Sequence, residues 1–557
     1  MTRTSGTARD TRPPLDRRAA DLRRLGDEEW DLLIVGGGIV GAGALLDAAS
    51  RGLRVALVEQ EDIAAGTSSR SSRLIHGGLR YLQQLEISLV REALAERARL
   101  VRLAPHLVRL EAFLFPLYGP PVVTRAFYEA GLTLYDLLGS RKSAGWHRHL
   151  SVEETLEYAP DLVTGDLRGA FLYHDAMEDD ARFTLAVVRT AQARFGDHAV
   201  AVTRVRAEQP LRAGLRNADA IAGARVRDRL TGEVLDVRAR AVLDATGVWA
   251  AMPDRPFGPG SFSVLPARGA HLVIPRDRIP ATGGMTLRIP GRVAFLVPWP
   301  RHWVIGTTDT PHQGPVDRIA ATGEDVDQIL GTLNGALELS ITRDDLVGTY
   351  AGLRPLIAPS DASSTVKISR EHKVAVEEPG LVRVSGGKYT TYRVMARDAV
   401  DAVLGTEAAR RPSRTRQLPI HGAARRADLD ALTARLAAGP ESLGSEVAAS
   451  LVGRYGAEAE EVLAYGAERD LVRRLVDDAP FLEAEIGWGV EHEMALSLDD
   501  LLARRMRLVH TLPDRGESIA VRVAQIAGHA LGWDADRQAA EVAAYLENAR
   551  REFGIPA

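Results

Sequence analysis

The stretch Asp31-Leu32-Leu33-Ile34-Val35-Gly36-Gly37-Gly38-Ile39-Val40-Gly41 runs from apolar residues into the glycine pattern G-x-G-x-x-G. A short apolar run that stops at glycine is typical of a buried strand, and the residues after the glycines continue as a helix. Gly36 then allows a tight turn, Gly38 lets a pyrophosphate approach the backbone, and Gly41 lets the helix pack on the strand. The stretch predicts the first strand–turn–helix unit of a dinucleotide-binding domain.

The residues after this unit extend the same pattern. A second strand is predicted at 54–58 and ends at Glu59, which lies 23 positions after Gly36. A carboxylate at this point accepts hydrogen bonds from the ribose hydroxyls of an adenosine and disfavours a 2′-phosphate. A third strand, at 241–244, leads into Ala245-Thr246-Gly247, as expected where a strand returns to the cofactor.

Composition excludes several classes of protein and site. The chain has 557 residues, of which 45% are hydrophobic and 26% charged, as in a large globular protein. Its formal net charge of −4 shows no basic excess, so nucleic acid is not expected as a partner. The absence of cysteine rules out disulfides, thiolate metal sites, iron–sulfur clusters and cysteine-tethered flavins. Neither a membrane-spanning run nor a signal segment is predicted, which favours a cytoplasmic location.

Patterning divides the chain into a tail and two larger regions. Residues 1–29 are expected to be disordered, or else to form a basic amphipathic helix on an anionic membrane surface, because Leu15, Ala19, Leu22 and Leu25 have helical spacing. From residue 30 to 405, strand-like runs alternate with helical periodicity, as in an α/β protein. After a linker at 406–421, residues 422–557 predict an all-helical domain with a 3.6-residue period. The individual elements predicted in the α/β region are strands at 31–35, 54–58, 241–244, 294–298, 303–306 and 381–384 and a helix at 86–103.

Two further segments favour FAD over NAD as the dinucleotide. Thr67-Ser68-Ser69-Arg70-Ser71-Ser72-Arg73 offers hydroxyl and guanidinium donors, and His76-Gly77-Gly78 follows it closely. Such donors hold a pyrophosphate, and glycines permit close approach to a flat ring. Gly386-Gly387-Lys388 places a cation where it would stabilise a reduced, anionic flavin.

With these segments in place, the sequence resembles the FAD-dependent glycerol-3-phosphate dehydrogenases. Two strings specific to that family are Ile75-His76-Gly77-Gly78-Leu79-Arg80-Tyr81-Leu82 and Gly386-Gly387-Lys388-Tyr389-Thr390-Thr391-Tyr392-Arg393. Val40 and Tyr389 stand where family members often have Asn and Leu. The other matching motifs occur in family order at residues 36–43, 67–72, 179–182, 245–247, 305–309 and 352–356.

The resemblance implies a fold and an activity. The fold is a mixed α/β architecture, in which a Rossmann-like FAD domain of the glutathione-reductase type (about 30–105, 170–255 and 350–405) contains an inserted sheet-based substrate domain (about 106–169 and 256–349). The activity is oxidation of sn-glycerol 3-phosphate to dihydroxyacetone phosphate by hydride transfer from C2 to flavin N5. Electrons then pass to a membrane quinone, so a peripheral position on the inner face of the cell membrane is expected. A homodimer is a further expectation.

The same resemblance assigns roles to residues. The substrate pocket is expected to contain Arg80, Tyr81, His271, Arg354 and Lys388, and the last three are also the catalytic candidates. The proton of the C2 hydroxyl is taken by His271, or Arg354 stabilises the alkoxide directly; both readings stay open. The residues expected to bind FAD are Gly36, Gly38, Gly41, Glu59, Thr67, Ser68, Ser69, Ser71, His76, Gly77, Gly78, Gly247, Gly386, Gly387, Lys388 and Thr390.

Three other functions stay open. An oxidase would pass the electrons to oxygen. Another flavoenzyme of the superfamily would act on amino acids or 2-hydroxy acids. A flavin-bearing scaffold would use the helical domain for partners. No metal is predicted, because His147, His149 and the run Glu491-His492-Glu493 lack ligand spacing and are expected at the surface.

Overall fold

The computed structural model describes residues 12–78, 86–119, 121–138, 145–214, 220–289, 292–358, 371–439 and 443–557. The strands are β1 Trp30–Val35, β2 Val55–Glu59, β3 Leu74–Ile75, β4 Val108–Tyr118, β5 Arg148–Leu150, β6 Leu167–Glu178, β7 Ala199–Thr203, β8 Val205–Arg212, β9 Ile221–Asp228, β10 Val234–Asp244, β11 Val264–Pro275, β12 Gly284–Ile289, β13 Arg292–Trp299, β14 His302–Gly306, β15 Thr310–Pro311, β16 Gly348–Ile357, β17 His372–Glu378 and β18 Leu381–Gly386. The α-helices are α1 Pro14–Asp27, α2 Ile39–Ser50, α3 Ile87–Leu103, α4 Pro121–Leu138, α5 Val152–Tyr158, α6 Asp180–Phe195, α7 Gly323–Ala336, α8 Tyr392–Leu404, α9 Arg426–Ala438, α10 Gly444–Tyr455, α11 Ala459–Glu468, α12 Ala484–His492, α13 Glu517–Leu531 and α14 Ala535–Phe553.

The first sheet carries the glycine motif. Its strands lie in the order β17-β18-β10-β1-β2-β7, and β9, paired with β8, extends it beside β10. Strands β18, β10, β1, β2 and β7 run parallel to one another. A parallel sheet is buried on both faces, and β1 shows this directly. Leu32 and Ile34 pack into the core shared with α2, α6 and α8, whereas Leu33 and Val35 pack into the core on the opposite face.

The second sheet lies beside the first and is mostly antiparallel. Its strands lie in the order β15-β11-β14-β13-β12-β4-β6-β3, with β16 paired to β11 and β5 paired to β6. One face packs against α5 and α7. The other face shares a core with α13 and α14 of the helical C-terminal region. The helical region therefore packs directly against the sheet that holds β11 and β16.

The N-terminal segment is helical where the structure describes it. Helix α1 packs on the first sheet, and its Leu22 and Leu25 are buried in that sheet's core. Arg18 adds an ion pair to Asp228 at 2.7 Å. The expectation of disorder is therefore wrong for this segment. The helical spacing was the correct signal, but two of its four apolar residues face the protein instead of a membrane.

Two of the expected domain borders do not coincide with the borders in the structure. Those at about 170 and 350 fall inside β6 and β16, both of which belong to the second sheet. The chain returns to the first sheet at α6 and at β17 instead. Apolar periodicity locates a strand but does not reveal which sheet it joins, so the borders could not be placed more closely from the sequence.

The helical C-terminal region contains apolar stripes with the predicted 3.6-residue period. Leu429, Leu432 and Leu436 are buried together, and the stripe on α13, formed by Ile519, Val523 and Ile526, is buried against the second sheet. Among the described residues, no helix combines the length and apolar character needed to cross a bilayer.

Two surface expectations need correction. Glu493 is fully buried and accepts hydrogen bonds from Arg182, so it is not a surface residue. The His147 side chain is mostly buried, with Nδ1 2.6 Å from Asp136 Oδ2. Sequence spacing excluded a shared helical face but carried no information about these distant partners.

Candidate active site

The glycine turn between β1 and α2 has the geometry that the motif predicts. Gly36 adopts φ +114°, and a Cβ there would lie 2.6 Å from the Ala245 carbonyl oxygen, at the end of β10. A Cβ on Gly41 would collide with the carbonyl oxygen of Gly36, so only glycine lets α2 approach the strand. The N-terminus of α2 is thereby presented at the cavity, where its backbone dipole favours an anionic group.

Glu59 lies at the end of β2, beside this turn. Its carboxylate accepts hydrogen bonds from the amides of Gly37 at 2.6 Å and Glu61 at 2.8 Å. Burial raises the pKa of Glu59 to about 7 despite these two bonds. The side chain is held where an adenosine ribose would reach it.

The hydroxyl-rich loop at 67–72 connects the two sheets. Ser68 Oγ accepts from the amide of Ile39 at 2.9 Å, so it touches the first turn of α2. Thr67 Oγ1 donates to the carbonyl of Leu353 on β16 at 2.6 Å. The loop therefore places its hydroxyl groups between the glycine turn and the second sheet.

One cavity of about 950 Å³ runs along these elements and brings most of the predicted residues together. The predicted residues that line it are Gly36, Gly38, Glu59, Thr67, Ser68, Ser71, His76, Gly78, Gly247, His271, Arg354, Gly386, Gly387, Lys388 and Thr390. A cavity that joins a glycine turn, a helix N-terminus and the Glu59 carboxylate to a second polar end fits FAD.

Three predicted FAD ligands lie behind the cavity wall, and two substrate candidates cannot be placed. Gly41 and Ser69 support the turn and the loop from within. Gly77 donates its amide to the Tyr135 hydroxyl at 2.9 Å, inside the protein. Arg80 and Tyr81 lie outside the described residues.

His271 stands at the second end of the cavity, on β11. The strand register places it opposite Tyr350 of β16 and opposite Gly306 of β14. A side chain at Gly306 would collide with the imidazole, so this glycine leaves room for the ring. The ring stacks on Tyr350 with centroids 4.6 Å apart and 13° between the planes. Its Nε2 lies 2.8 Å from Ser72 Oγ.

The protonation state of His271 follows from its surroundings. Burial, reinforced by the cations of Arg354 and Arg73, lowers the pKa of His271 well below its ordinary value of 6.5. The imidazole is therefore neutral at physiological pH and able to accept a proton.

Arg354 is fixed on β16 by the residues that follow β14. Its Nη1 donates to the Thr308 carbonyl at 3.1 Å and to Asp309 Oδ1 at 3.2 Å, and its Nη2 donates to Thr307 Oγ1 at 3.1 Å. These bonds hold the guanidinium in one plane at the cavity wall. A fixed fork of this kind suits phosphate or another oxyanion.

The floor between His271 and Arg354 carries no side chain. Gly269 and Gly352 form the cross-strand pair that lies between the pairs His271–Tyr350 and Ala267–Arg354. All of these residues alternate onto one face of the sheet, and both glycines line the cavity. The missing side chains make room for the Arg354 guanidinium and Thr307 Oγ1 beside Gly269 and for the Arg70 main chain beside Gly352. A neutral base and a fixed cation thus line the same cavity.

Lys388 follows β18 of the first sheet and reaches the cavity from that side. It precedes the 3₁₀ turn Tyr389–Thr391 and lines the cavity with Gly386 and Gly387. Thr390 Oγ1 donates to the carbonyl of His76 at 3.3 Å, which ties together the two strings that carry the family resemblance.

Several wall residues were not assigned a role from the sequence. Thr307 and Asp309 belong to a quoted motif, and their contacts with Arg354 become visible only in the fold. Aromatic residues form another part of the wall, namely Phe115, Tyr128, Tyr173 and Phe295. The helical C-terminal region adds Ser497, Asp499, Ala503, Arg504, Asn548, Glu552 and Phe553. No local motif marks these residues, because they meet the site only through domain packing.

Within the described part of the chain, no group of three or more His, Asp or Glu side chains is arranged to hold a metal ion.

Comparisons with known proteins agree with this geometry. A family model described as "FAD dependent oxidoreductase" matches residues 31–401, and one described as "C-terminal domain of alpha-glycerophosphate oxidase" matches residues 413–538. The glycerol-3-phosphate dehydrogenase of Mycobacterium leprae (strain TN) is 45% identical over 97% of this chain and 91% of that relative. The mitochondrial glycerol-3-phosphate dehydrogenase of Homo sapiens is 36% identical over 94% of this chain and 73% of that relative.

Solved structures give the same result. The FAD-complexed glycerol-3-phosphate dehydrogenase from Bacillus halodurans superimposes with a TM-score of 0.77 at 26% identity, covering 96% of this chain and 97% of that one. The FAD-bound L-alpha-glycerophosphate oxidase from Mycoplasma pneumoniae shares the fold over 68% of this chain and 95% of its own, with a TM-score of 0.54 at 17% identity.

Proposed function

The chain belongs to the FAD-dependent glycerol-3-phosphate dehydrogenase family, and on this premise we propose that it oxidises sn-glycerol 3-phosphate to dihydroxyacetone phosphate between His271 and Arg354. The observation that carries the proposal is that a buried, neutral imidazole and a guanidinium held by three hydrogen bonds line the same cavity. A small polyol phosphate needs this combination, because it presents a hydroxyl to be deprotonated and a phosphate to be anchored.

Three residues of the cavity wall then have distinct roles in the reaction. Arg354 and Lys388 attract the phosphate and orient the substrate, while His271 accepts the proton of the C2 hydroxyl. FAD, held along the cavity by the glycine turn, Glu59 and the hydroxyl-rich loop, would supply the two-electron acceptor for the hydride that leaves C2. Of the two readings of the proton step, we propose the histidine as base, because its neutral imidazole lines the same cavity as Arg354. Its lowered pKa makes it a weak base.

We further propose a quinone as the electron acceptor. The aromatic part of the wall supports this, because Phe115 and Tyr128 lie with ring centroids 4.9 Å apart and Tyr128 belongs to the surface helix α4. An apolar path suits an apolar ring better than a charged acceptor.

Exposed apolar side chains on α4 and just beyond it support a peripheral position at the membrane. The side chain of Phe127 is 57% exposed, that of Leu137 is 50% exposed, and that of Trp146, just beyond α4, is 48% exposed. Exposed large apolar side chains of this kind are typical of interfacial anchors. Phe127→Ser and Trp146→Ser should reduce co-sedimentation with anionic lipid vesicles, whereas Val521→Ser, an equally exposed position on α13, should not.

The predicted homodimer is tested separately, by sedimentation of the holoenzyme.

The activity itself is tested by the visible spectrum of the anaerobic holoenzyme. Addition of sn-glycerol 3-phosphate should bleach the flavin, and a quinone analogue should restore its colour. Recovery in air alone, with peroxide formed, would instead identify an oxidase. A flavin that bleaches with a 2-hydroxy acid or an amino acid, and not with sn-glycerol 3-phosphate, would overturn the substrate. A flavin inert to every such substrate would point to the scaffold alternative.

A further inference from the structure

A continuous series of ring contacts connects the end of the helical C-terminal region to His271. Phe553, at the end of α14, lies edge-on to His510 with centroids 4.9 Å apart. His510 lies edge-on to Tyr350, also at 4.9 Å, and Tyr350 stacks on His271 at 4.6 Å. All four side chains are buried, so the series lies inside the junction between the helical region and the second sheet.

We propose that His510 and Tyr350 are positioning residues, through which the helical C-terminal domain holds the ring of His271 in its reactive orientation. The inference rests on the proposed function, because it assigns His271 the role of base. It gives the C-terminal domain a part in catalysis that its sequence does not reveal.

The contacts around His271 leave its ring little freedom. Tyr350 covers one face, Ser72 Oγ holds Nε2 at the edge, and the main chain at Gly306 closes the Cδ2 side. The Tyr350 hydroxyl also donates to the carbonyl of Ser71 at 2.8 Å, so Tyr350 steadies the loop that carries Ser72. Displacement of Tyr350 would therefore loosen both the face and the edge contact.

The C-terminal helix α14 also contacts the hydroxyl-rich loop at a second point. Arg70 forms an ion pair with Glu552, and its guanidinium lies 5.1 Å from the ring centroid of Phe553. Arg70 also donates to the carbonyl of Ile319 at 3.0 Å. The last turn of α14 thus fixes the loop directly and supports Tyr350 through His510. A base must be placed to within a fraction of an ångström for efficient proton transfer, so loss of this support should slow catalysis.

The test is anaerobic stopped-flow reduction of the holoenzyme by sn-glycerol 3-phosphate, with His510→Leu and Tyr350→Leu compared with His510→Phe and Tyr350→Phe. The leucine variants should lower the limiting rate constant of flavin reduction by about 10- to 100-fold, with the substrate dissociation constant nearly unchanged. The phenylalanine variants keep the rings. His510→Phe should recover most of the rate, and Tyr350→Phe should recover less, because it loses the hydrogen bond to the Ser71 carbonyl.

The matched control is His492→Leu. His492 is another histidine in the helical region, but its ring lies against Trp488 at 4.0 Å and Tyr465 at 6.1 Å. This variant should keep the wild-type rate of reduction.

The outcomes separate the two proposals. A wild-type flavin that is not reduced would overturn the proposed function. A reducible wild type together with a His510→Leu variant that matches wild type, or that slows no more than His492→Leu, would overturn the positioning role. Phe553→Leu, a milder change at the far end of the series, decides the question if His510→Leu does not fold.

Discussion

Arg182 and Glu493 form a doubly hydrogen-bonded ion pair, with N–O distances of 2.7 and 2.8 Å, buried between α6 and the helical C-terminal region. Burial alone would raise the pKa of Glu493, but Arg182 and Arg189 hold it below its ordinary value of 4.5. The pair joins the domain that carries the cofactor motif to the domain that supports His271.

Removal of one partner should destabilise the folded protein, because the other charge would remain buried and unpaired. We expect Glu493→Gln or Arg182→Met to lower the free energy of unfolding by about 3–5 kcal/mol, measured by urea denaturation of the holoenzyme. Arg182→Met combined with Glu493→Leu should restore most of this loss. Because the folded pKa of Glu493 is depressed, its contribution is present at neutral pH and is lost as the pH falls below 4.5. Equal losses in the single and double variants would contradict the pairing argument.

Gly41→Ala should abolish FAD retention, because its methyl group would collide with the Gly36 carbonyl and push α2 away from the turn. The flavin-to-protein absorbance ratio of the purified protein measures the effect. Gly331→Ala on α7 is the matched control, since no atom lies within 4 Å of a Cβ there. That change should keep the flavin and stabilise the helix by about 0.5–1 kcal/mol. A yellow Gly41→Ala protein would show that the turn tolerates the shift.

FAD affinity should increase as the pH rises through about 7, because only ionised Glu59 keeps both carboxylate oxygens as acceptors. Titration of the apoprotein with FAD at about pH 6 and about pH 8, followed by flavin fluorescence, measures this. Glu59→Gln should remove the pH dependence.

The raised pKa of Glu59 also has a consequence for the apoprotein. Between 4.5 and about 7 the native state binds more protons at Glu59 than the unfolded state does. The contribution of this residue to stability should therefore decrease as the pH rises through that window. An opposite slope, present in wild type and absent in Glu59→Gln, would contradict the assignment.

Arg354→Ala should raise the Michaelis constant for sn-glycerol 3-phosphate by about 10- to 100-fold, as expected for the loss of charge-assisted hydrogen bonds worth about 1.5–3 kcal/mol. Arg354→Lys should recover only part of the loss, because an ammonium cannot reproduce the planar fork held by Thr307, Thr308 and Asp309. Arg301→Ala, which removes an exposed arginine paired with Glu446, serves as the control. An unchanged Michaelis constant in Arg354→Ala would remove Arg354 from the pocket.

Local patterns were sufficient to predict four of the eight described strands of the first sheet, together with the cofactor motif. The strand at 31–35, the turn at Gly36 and the acid at Glu59 depend on neighbouring residues, and the structure places them as the pattern indicates. The pairing of β6 and β16 with the second sheet depends on residues far apart in the chain, so the pattern could not fix those borders. The same limit applies to the site. His271 and Arg354 were found by resemblance, whereas Phe553 and His510 meet the site only through packing between domains.

The order of strands in the first sheet has a consequence for synthesis. Trp30 on β1 pairs with Ala239 on β10, and Val242 on β10 pairs with Leu381 on β18. A ribosome must therefore release the chain beyond residue 386 before β18 can complete the sheet, and until then Val242–Asp244 of β10 lack their partners on β18. The cofactor and substrate domains cannot mature one after the other during translation, because each is interrupted by the other. The nascent chain should depend on chaperones until a late stage, with flavin captured only near the end of elongation.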